Sequence, residues 1–369
     1  MHIDFDTGAG RGRTFSAPLR LIRADTPAEV GPALDAIARA QAEGHWLAGL
    51  FGYELGYCLS DRLAPLLPPV REVPLILLGV FERCEPLRPA PPPAPGPLRR
   101  GLPGLTREAY GAAFARVMEY IRAGDVYQVN LTFALDLAGE DDPEALFAAL
   151  AAAQPVRHGA YMDLGGPILL SRSPELFFEV DTGGIITTRP MKGTAARGAT
   201  PEEDRAARDR LAASPKDRAE NLMIVDLMRN DLSRICEIGS VRVPRLYEVE
   251  TYPTLHQMTS TVRGRMLPGT TLPDILRALF PCGSVTGAPK IRAMEIIRDL
   301  EPAPRGAYCG AIGWAAPGGE MSFNVAIRTL TWHAPDRIVL NVGGGLVHDS
   351  TVDSEYGEAL TKSRFAAPD

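Results

Sequence analysis

Two acidic doublets in this chain of 369 residues have a spacing that could build a metal site: Asp217 and Glu220 in KDRAEN, and Glu355 and Glu358 in SEYGE. Residues three apart share a face of a helix, so each doublet would aim two carboxylates the same way. If two such helices met, the cluster would repel itself unless a cation or protons neutralised it. An all-oxygen donor set suits Mg²⁺, which keeps several waters and completes its shell with substrate oxygens. Two solvated helix faces would have the same spacing, and spacing alone does not bring the doublets together.

A lysine, a histidine and a glutamate offer further chemistry. Lys192 lies in PMKGT, just after an expected strand end, and a lysine between Pro-Met and Gly is expected on a turn. A buried lysine with a lowered pKa can act as a nucleophile; a surface lysine is the plainer reading. His256 in TLHQMTS and Glu175 in RSPELFF each stand beside apolar residues, where a structural role is the ordinary one. Gly343–Gly345 follows an expected strand, and GSVTGAPK at 283–290 leads into an expected helix. Bare amides at a helix N-terminus bind carboxylates or phosphates, although this run lacks the phosphate-loop spacing and glycine serves ordinary turns equally well.

The elements that must position these residues follow from periodicity and capping. Helices are expected at Pro27–Ala42, from a Thr106 cap to Gly124, after a Thr200–Glu203 capping box with Pro201 at its first position, and over 217–235, 272–279, 290–300 and 354–365. Strands are expected in WLAGLFGYELGY and at 126–135, 159–163, 168–171, 176–180, 185–188, 240–249, 256–265, 310–314, 322–330 and 337–342. Many strands mixed with helices that do not alternate with them argue for an α+β fold. The run PLRPAPPPAPGPLRRGLPG at 86–104 is too rich in proline for helix or sheet and is expected as a linker. It divides an N-terminal segment, 1–85, which is expected to pack onto the main fold, from a catalytic block, 105–369.

Composition excludes several classes. The net charge is −6, with no basic block or aromatic-basic alternation, so nucleic acid is not an expected partner. Five cysteines, Cys58, Cys84, Cys236, Cys282 and Cys309, form no CxxC and are odd in number, which disfavours a disulfide framework or zinc site and fits a reducing compartment. The N-terminus, MHIDFD, does not have the pattern of a secretory signal, and the longest apolar run, near 74–81, is too short to cross a bilayer. No membrane association is expected, and the expected location is cytoplasmic.

Taken together, GDVYQVNLT, SRSPELFFEV, TRPMKGT, KDRAENLMIVDLMRNDLSRI, FPCGSVTGAPKIRAMEII, RGAYCGAIGW, FNVAIRTL and GGGLVHDSTVDSEYGEALTKSR resemble, in order, the chorismate-utilising enzymes. That family includes anthranilate, aminodeoxychorismate, isochorismate and salicylate synthases. The resemblance covers nearly everything from Gly104 onward and implies large, mostly antiparallel β-sheets packed face to face with helices on the outside. It also implies that Glu220 and Glu358 hold Mg²⁺, with Asp217 and Glu355 beside it, often through water. By the same resemblance, Tyr308, Arg328, Gly344, Gly345 and Lys362 hold the carboxylates of chorismate; Ser284, Gln128 and Thr194 complete the substrate-binding set.

Two positions separate the chemistries within the resemblance. Members that activate water carry Lys where Gln128 stands, and an amide cannot remove a proton, so ammonia is the expected nucleophile. Members that aminate at C2, the anthranilate synthases, usually show Ala where Lys192 stands; those that aminate at C4 show Lys. The implied reaction is addition of Lys192 at C2 as the C4 hydroxyl leaves, then displacement of the lysine by ammonia at C4, with Glu175 as general acid. His256 matches a histidine near the ring, in a catalytic or merely positioning role. No cysteine sits in a nucleophile elbow, so ammonia is expected from a separate glutamine amidotransferase subunit. The expected product is 4-amino-4-deoxychorismate, the precursor of 4-aminobenzoate and folate; an anthranilate synthase component I is the alternative.

Overall fold

The computed structural model describes residues 1–6, 12–93, 98–139, 142–252 and 255–367. Residues 7–11 of the expected N-terminal segment and 94–97 of the expected linker lie outside them. Two sheets, each of ten strands among the described residues, form the frame, and every strand pair in them is antiparallel.

The first sheet runs Gly287–Ala288, Gln128–Ala138, Arg337–Leu346, Thr329–Ala334, Ile168–Ser173, His158–Asp163, His2–Asp6, Arg13–Ser16, Glu85–Pro86, with Arg99–Pro103 also paired to Gln128–Ala138. The second runs Met191–Ala196, Leu255–Arg265, Ile185–Arg189, Leu176–Val180, Met321–Val325, Ala311–Ala315, Trp46–Phe51, Ile76–Phe81, Arg20–Ala24, with Arg242–Thr251 branching from Leu255–Arg265. One buried cluster joins Ile3, Phe5, Phe15, Met162 and Leu169 of the first sheet to Leu50, Leu77, Phe81 and Ile312 of the second, so the sheets pack face to face. The outer face of the first sheet is covered by the helices Arg107–Ala123, Pro143–Ala153, Lys290–Leu300 and Val352–Thr361. The second carries Pro27–Ala42, Pro215–Ser233 and Leu272–Leu279. Among the described residues, no helix is long and apolar enough to cross a membrane.

Local chemistry sets the helix limits. Thr106 Oγ1 accepts from the Ala109 amide, and Gly124, at φ 80, ends that helix in the left-handed region. Thr200 and Glu203 form the reciprocal capping box that starts Pro201–Ala213.

Several expectations are corrected. The N-terminal segment contributes strands to the interior of both sheets: Trp46–Phe51 lies between Ala311–Ala315 and Ile76–Phe81. The expected linker contains the strand Arg99–Pro103, because Arg99 to Leu102 carry backbone donors and need only an edge position, where the closing proline is tolerated. The helix Pro143–Ala153, not expected from periodicity, is capped by Asp142 and starts with a proline. The single strand expected at 322–330 is two: the chain leaves the second sheet after Val325, turns at Arg328 with φ 50, and enters the first at Thr329. Lys192 lies in the strand Met191–Ala196 rather than on a turn; Gly193, at φ 83, sits where its pairing with Leu255–Arg265 slips. Gly343–Gly345 is likewise strand, not turn, paired to Asn130–Thr132.

Candidate active site

The acidic doublets ride on helices that belong to different sheets. Pro215–Ser233 starts at a Ser214 cap and packs Ile224, Val225 and Met228 against the second sheet, on the strands Leu255–Arg265 and Met191–Ala196. Val352–Thr361 buries Glu355 and Ala359 and packs on Arg337–Leu346 of the first. Several of the expected side chains from the two sheets meet at Gly344 and Gly345.

Gly345 marks the meeting point. A β-carbon there would lie 2.8 Å from Gln128 Nε2 and 2.9 Å from Lys192 Nζ. Only a residue without a side chain leaves room for both groups, which come from different sheets. One residue earlier, a β-carbon on Gly344 would lie 3.2 Å from Glu355 Oε2 and 3.5 Å from Lys362 Nζ. Gln128 is fully buried, and neither its amide oxygen nor its nitrogen has a hydrogen-bond partner among the described residues. Such an orphaned buried amide is costly unless a ligand satisfies it.

Charge accumulates around Lys192. Its amine lies in the fields of Glu220, Lys362, Glu175 and Glu358; burial, with Lys362, holds its pKa below the ordinary lysine value against the pull of the carboxylates. Glu175 is 4% exposed and accepts a 2.7 Å hydrogen bond from Ser284 Oγ. Burial pushes its carboxyl up to about 7, while Ser284, Lys192 and the Met191 amide oppose the shift. Glu220 is raised chiefly by burial, with Asp217 and Glu355 adding repulsion and Lys192 and Lys216 opposing them. Glu358 goes the other way, lowered first by Lys362, whose amine is 2.9 Å from Glu358 Oε1. Lys362 Nζ also donates to Gly343 O at 2.8 Å.

Among the described residues, no group of three or more metal-ligating side chains is gathered closely enough to hold a metal by itself. Three of the four expected carboxylates share one field: Glu220 feels both Asp217, on its own helix, and Glu355, from the other, whereas the more exposed Glu358 feels Lys362, Lys192 and Lys216. That surplus of partly buried negative charge fits a divalent cation held by one or two carboxylates, with water and substrate oxygens completing its shell.

Other expected residues sit further out. Arg328 is partly buried, and its guanidinium has no hydrogen-bond or ion-pair partner among the described residues; it lines a pocket with Gln154, Met191, Tyr252 and Gln257. Thr194 donates to Gln257 Oε1 at 3.1 Å, and Gln257 Nε2 donates to Gly193 O at 2.7 Å, bracing the irregular strand that carries Lys192. Tyr308 is buried on a turn closed by its amide donating to Arg305 O at 3.1 Å. His256 is set apart: its Nε2 is 2.9 Å from Asp204 Oδ1 and its Nδ1 is 3.0 Å from Thr251 Oγ1, so both ring nitrogens are engaged by residues outside the Lys192–Glu175 group. Sequence reading passed over Lys216, four residues before Glu220 and 3.9 Å from it, although that helical spacing was visible. It also passed over Gln257, for which only the fold supplies a signal.

The family model described as chorismate binding enzyme matches residues 9–368. The chain belongs to the chorismate binding enzyme family. Over 259 residues it is 47% identical to aminodeoxychorismate synthase component 1 of Klebsiella aerogenes, a match covering 70% of this chain and 57% of that protein. To the protein of the same name from Escherichia coli (strain K12) it is 46% identical over 258 residues, covering 70% and 56%. The matched region thus spans little more than half the length of these relatives. Among solved structures, anthranilate synthase component I from Streptococcus pneumoniae TIGR4 superposes with a TM-score of 0.80 at 27% identity, covering 95% of this chain and 90% of that one. This family member shares with it the frame of large antiparallel sheets and outer helices.

Proposed function

We propose that the chain is the component of an aminodeoxychorismate synthase that aminates chorismate at C4, a transfer of nitrogen using ammonia supplied by a separate glutamine amidotransferase subunit. The observation that carries this reading is the convergence of the Lys192 amine and the Gln128 amide at Gly345, with the buried Glu175 carboxyl in the same electrostatic group. The relatives named component 1 support it, as does the composition of the site: an amine of lowered pKa to attack, a carboxyl near neutrality to donate, and an amide in place of a base for water.

The reaction balances as chorismate plus ammonia giving 4-amino-4-deoxychorismate plus water. Neutral Lys192 Nζ bonds to C2, both conjugated ring double bonds shift, and the C4–O bond breaks as the Glu175 carboxyl protonates the departing hydroxyl. Ammonia then bonds to C4, both double bonds shift back, and the C2–N bond to Lys192 breaks. The proton lost by the incoming nitrogen returns to Glu175 or to the lysine. Gln128, whose amide atoms have no partner among the described residues, would offer hydrogen bonds to the ring substituents and to ammonia. Arg328, Lys362, Tyr308, Ser284, Thr194 and the glycines Gly344 and Gly345 would hold the two carboxylates and the ring. Glu220 and Glu358 would hold Mg²⁺, with Asp217 and Glu355 through water; the ion would neutralise the ring carboxylate and fix its place. His256, with both nitrogens engaged, would brace the Lys192 strand rather than move a proton. The product would serve 4-aminobenzoate and folate synthesis. A reducing, cytoplasmic setting belongs to the same reading, supported by five cysteines that all remain free.

Incubation with chorismate, Mg²⁺ and ammonium, followed by mass spectrometry, tests this. 4-Amino-4-deoxychorismate without pyruvate is the expected product. Anthranilate with released pyruvate would overturn the reading in favour of the chemistry for which the Streptococcus relative is named.

A further inference from the structure

A buried ionic hub touches the chain segments that carry three of the expected site residues, Gln128, Ser284 and Tyr308. Arg305 is 4% exposed, and its guanidinium has four recipients: Nε donates to Glu301 Oε2 at 2.8 Å, Nη1 to Val285 O at 2.8 Å, and Nη2 to Asn130 O and Glu301 Oε1, each at 2.7 Å. Its plane lies over the Tyr53 ring, 4.6 Å from the centroid. Glu301 Oε1 also accepts from the Thr132 amide and hydroxyl, both at 2.9 Å. The backbone of Arg305 is held as well: its amide donates to Glu54 Oε1 at 2.7 Å, the Gly306 amide donates to Glu54 Oε2 at 3.0 Å, and Gly306 O accepts from the Tyr53 amide at 2.8 Å.

Two of its partners lie one or two residues from the proposed chemistry. Asn130 follows Gln128 on its strand and pairs with Gly345 across the ladder. Val285 is the neighbour of Ser284, whose hydroxyl holds Glu175. Arg305 O closes the turn that carries Tyr308. Glu54 comes from the N-terminal segment, so the hub also ties that segment to the site.

A buried ion pair is weak evidence for stability, because the desolvation of its two charges offsets much of their attraction. What a planar fork with fixed donor directions supplies is geometry. We infer that Arg305, oriented by Glu301 and Glu54, is a positioning residue: it sets the relative placement of Gln128, Ser284 with Glu175, and Tyr308 without touching substrate. A lysine at this position keeps the charge but cannot reach four acceptors in one plane.

The inference rests on the proposed reading of the site, and the test separates the two. Arg305→Lys and Glu54→Gln are compared with the wild-type chain for thermal melting, for chorismate binding by calorimetry, and for amination with ammonium. In Arg305→Lys the expected result is a melting temperature within a few degrees of wild type, kcat down about 100-fold, the scale of an ångström-sized misplacement, and chorismate binding about tenfold weaker. The descending limb of kcat against pH should move as well, since Glu175 loses a well-placed Ser284. Glu54→Gln should give the same pattern with smaller changes. A folded Arg305→Lys with wild-type kcat and binding would overturn the inference, as would losses that merely track the unfolded fraction. If Arg305→Lys does not fold, Glu54→Gln decides by the same criteria. A wild-type chain that binds chorismate but makes no aminodeoxychorismate would defeat the functional reading alone, and the calorimetric comparison would still decide the role of Arg305.

Discussion

Ser284 Oγ donates to Glu175 Oε1 at 2.7 Å, and this bond opposes the burial that pushes the Glu175 carboxyl up to about 7. A donor to the ionised form holds a pKa down. Ser284→Ala should therefore raise it further. If Glu175 is the general acid, the descending alkaline limb of kcat should shift up by about one pH unit, the worth of a hydrogen bond to a charged group. A profile of kcat against pH in the two proteins checks this; an unmoved limb would mean that Glu175 does not donate the proton.

Glu175 also links activity to stability. Its folded pKa, about 7, lies above its unfolded value near 4.5. The folded state therefore binds the proton more tightly, and its advantage is present below pH 4.5 and lost as pH rises toward 7. Glu175→Gln removes the buried charge that forms above that range. At pH 8 the variant should be more stable than wild type, by up to about 3 kcal/mol if the whole shift is realised, while kcat falls by about 10²- to 10⁴-fold. Denaturant titration at pH 5 and pH 8 measures the first effect, and equal stability differences at both would refute it.

Gly345 and Gly343 should respond differently to the same change. A β-carbon on Gly345 meets the ends of two flexible side chains, Gln128 and Lys192, whereas on Gly343 it would lie 2.3 Å from the backbone oxygen of Leu131. Gly345→Ala should fold with a stability change of about 1 kcal/mol or less and lose about 100-fold in kcat through misplacement of both groups. Gly343→Ala should unfold at markedly lower denaturant, because a strand in the first sheet must separate. A Gly345→Ala variant with full activity would remove Lys192 and Gln128 from the reacting centre.

Lys192→Ala deletes the amine that would form the covalent intermediate. At moderate ammonium it should lose about 1,000-fold or more in amination, as expected when a covalent route is removed. With Lys192 gone, Glu220 loses its strongest opposing charge, so its pKa should rise. Steady-state turnover reads the first effect, and unchanged turnover would show that the lysine is not covalent.

Glu358 and Glu220 can be told apart from general acidity by titrating the metal. Glu358→Ala should raise the Mg²⁺ concentration for half-maximal activity at least tenfold, whereas Glu237→Ala, on an acidic residue outside the site, should leave it alone. An unchanged Mg²⁺ titration in the first variant would exclude Glu358 as a ligand.

Sequence alone fixed the local features. Helix limits such as Pro27–Ala42, Leu272–Leu279 and Lys290–Leu300, and the Thr106 and Thr200 caps, follow from side chains within a few residues of one another, so they were legible. The ordered motifs likewise announced the family and named its acidic doublets. The rest depended on partners far along the chain. Met191–Ala196 and Gly343–Gly345 look like turns, because Gly and Pro dominate locally; they are strands because Leu255–Arg265 and Gln128–Ala138 supply their hydrogen bonds. Whether Lys192 faced solvent or the protein interior was decided by the fold, which brings it against Gly345, 153 residues later, whose missing side chain leaves room for it. The engagement of His256 by Asp204 and the Arg305 hub were equally invisible, since burial and direction are properties of packed sheets. Residue type sets which chemistry is available; only the tertiary fold, by excluding water and converging distant strands, sets which groups can carry it out.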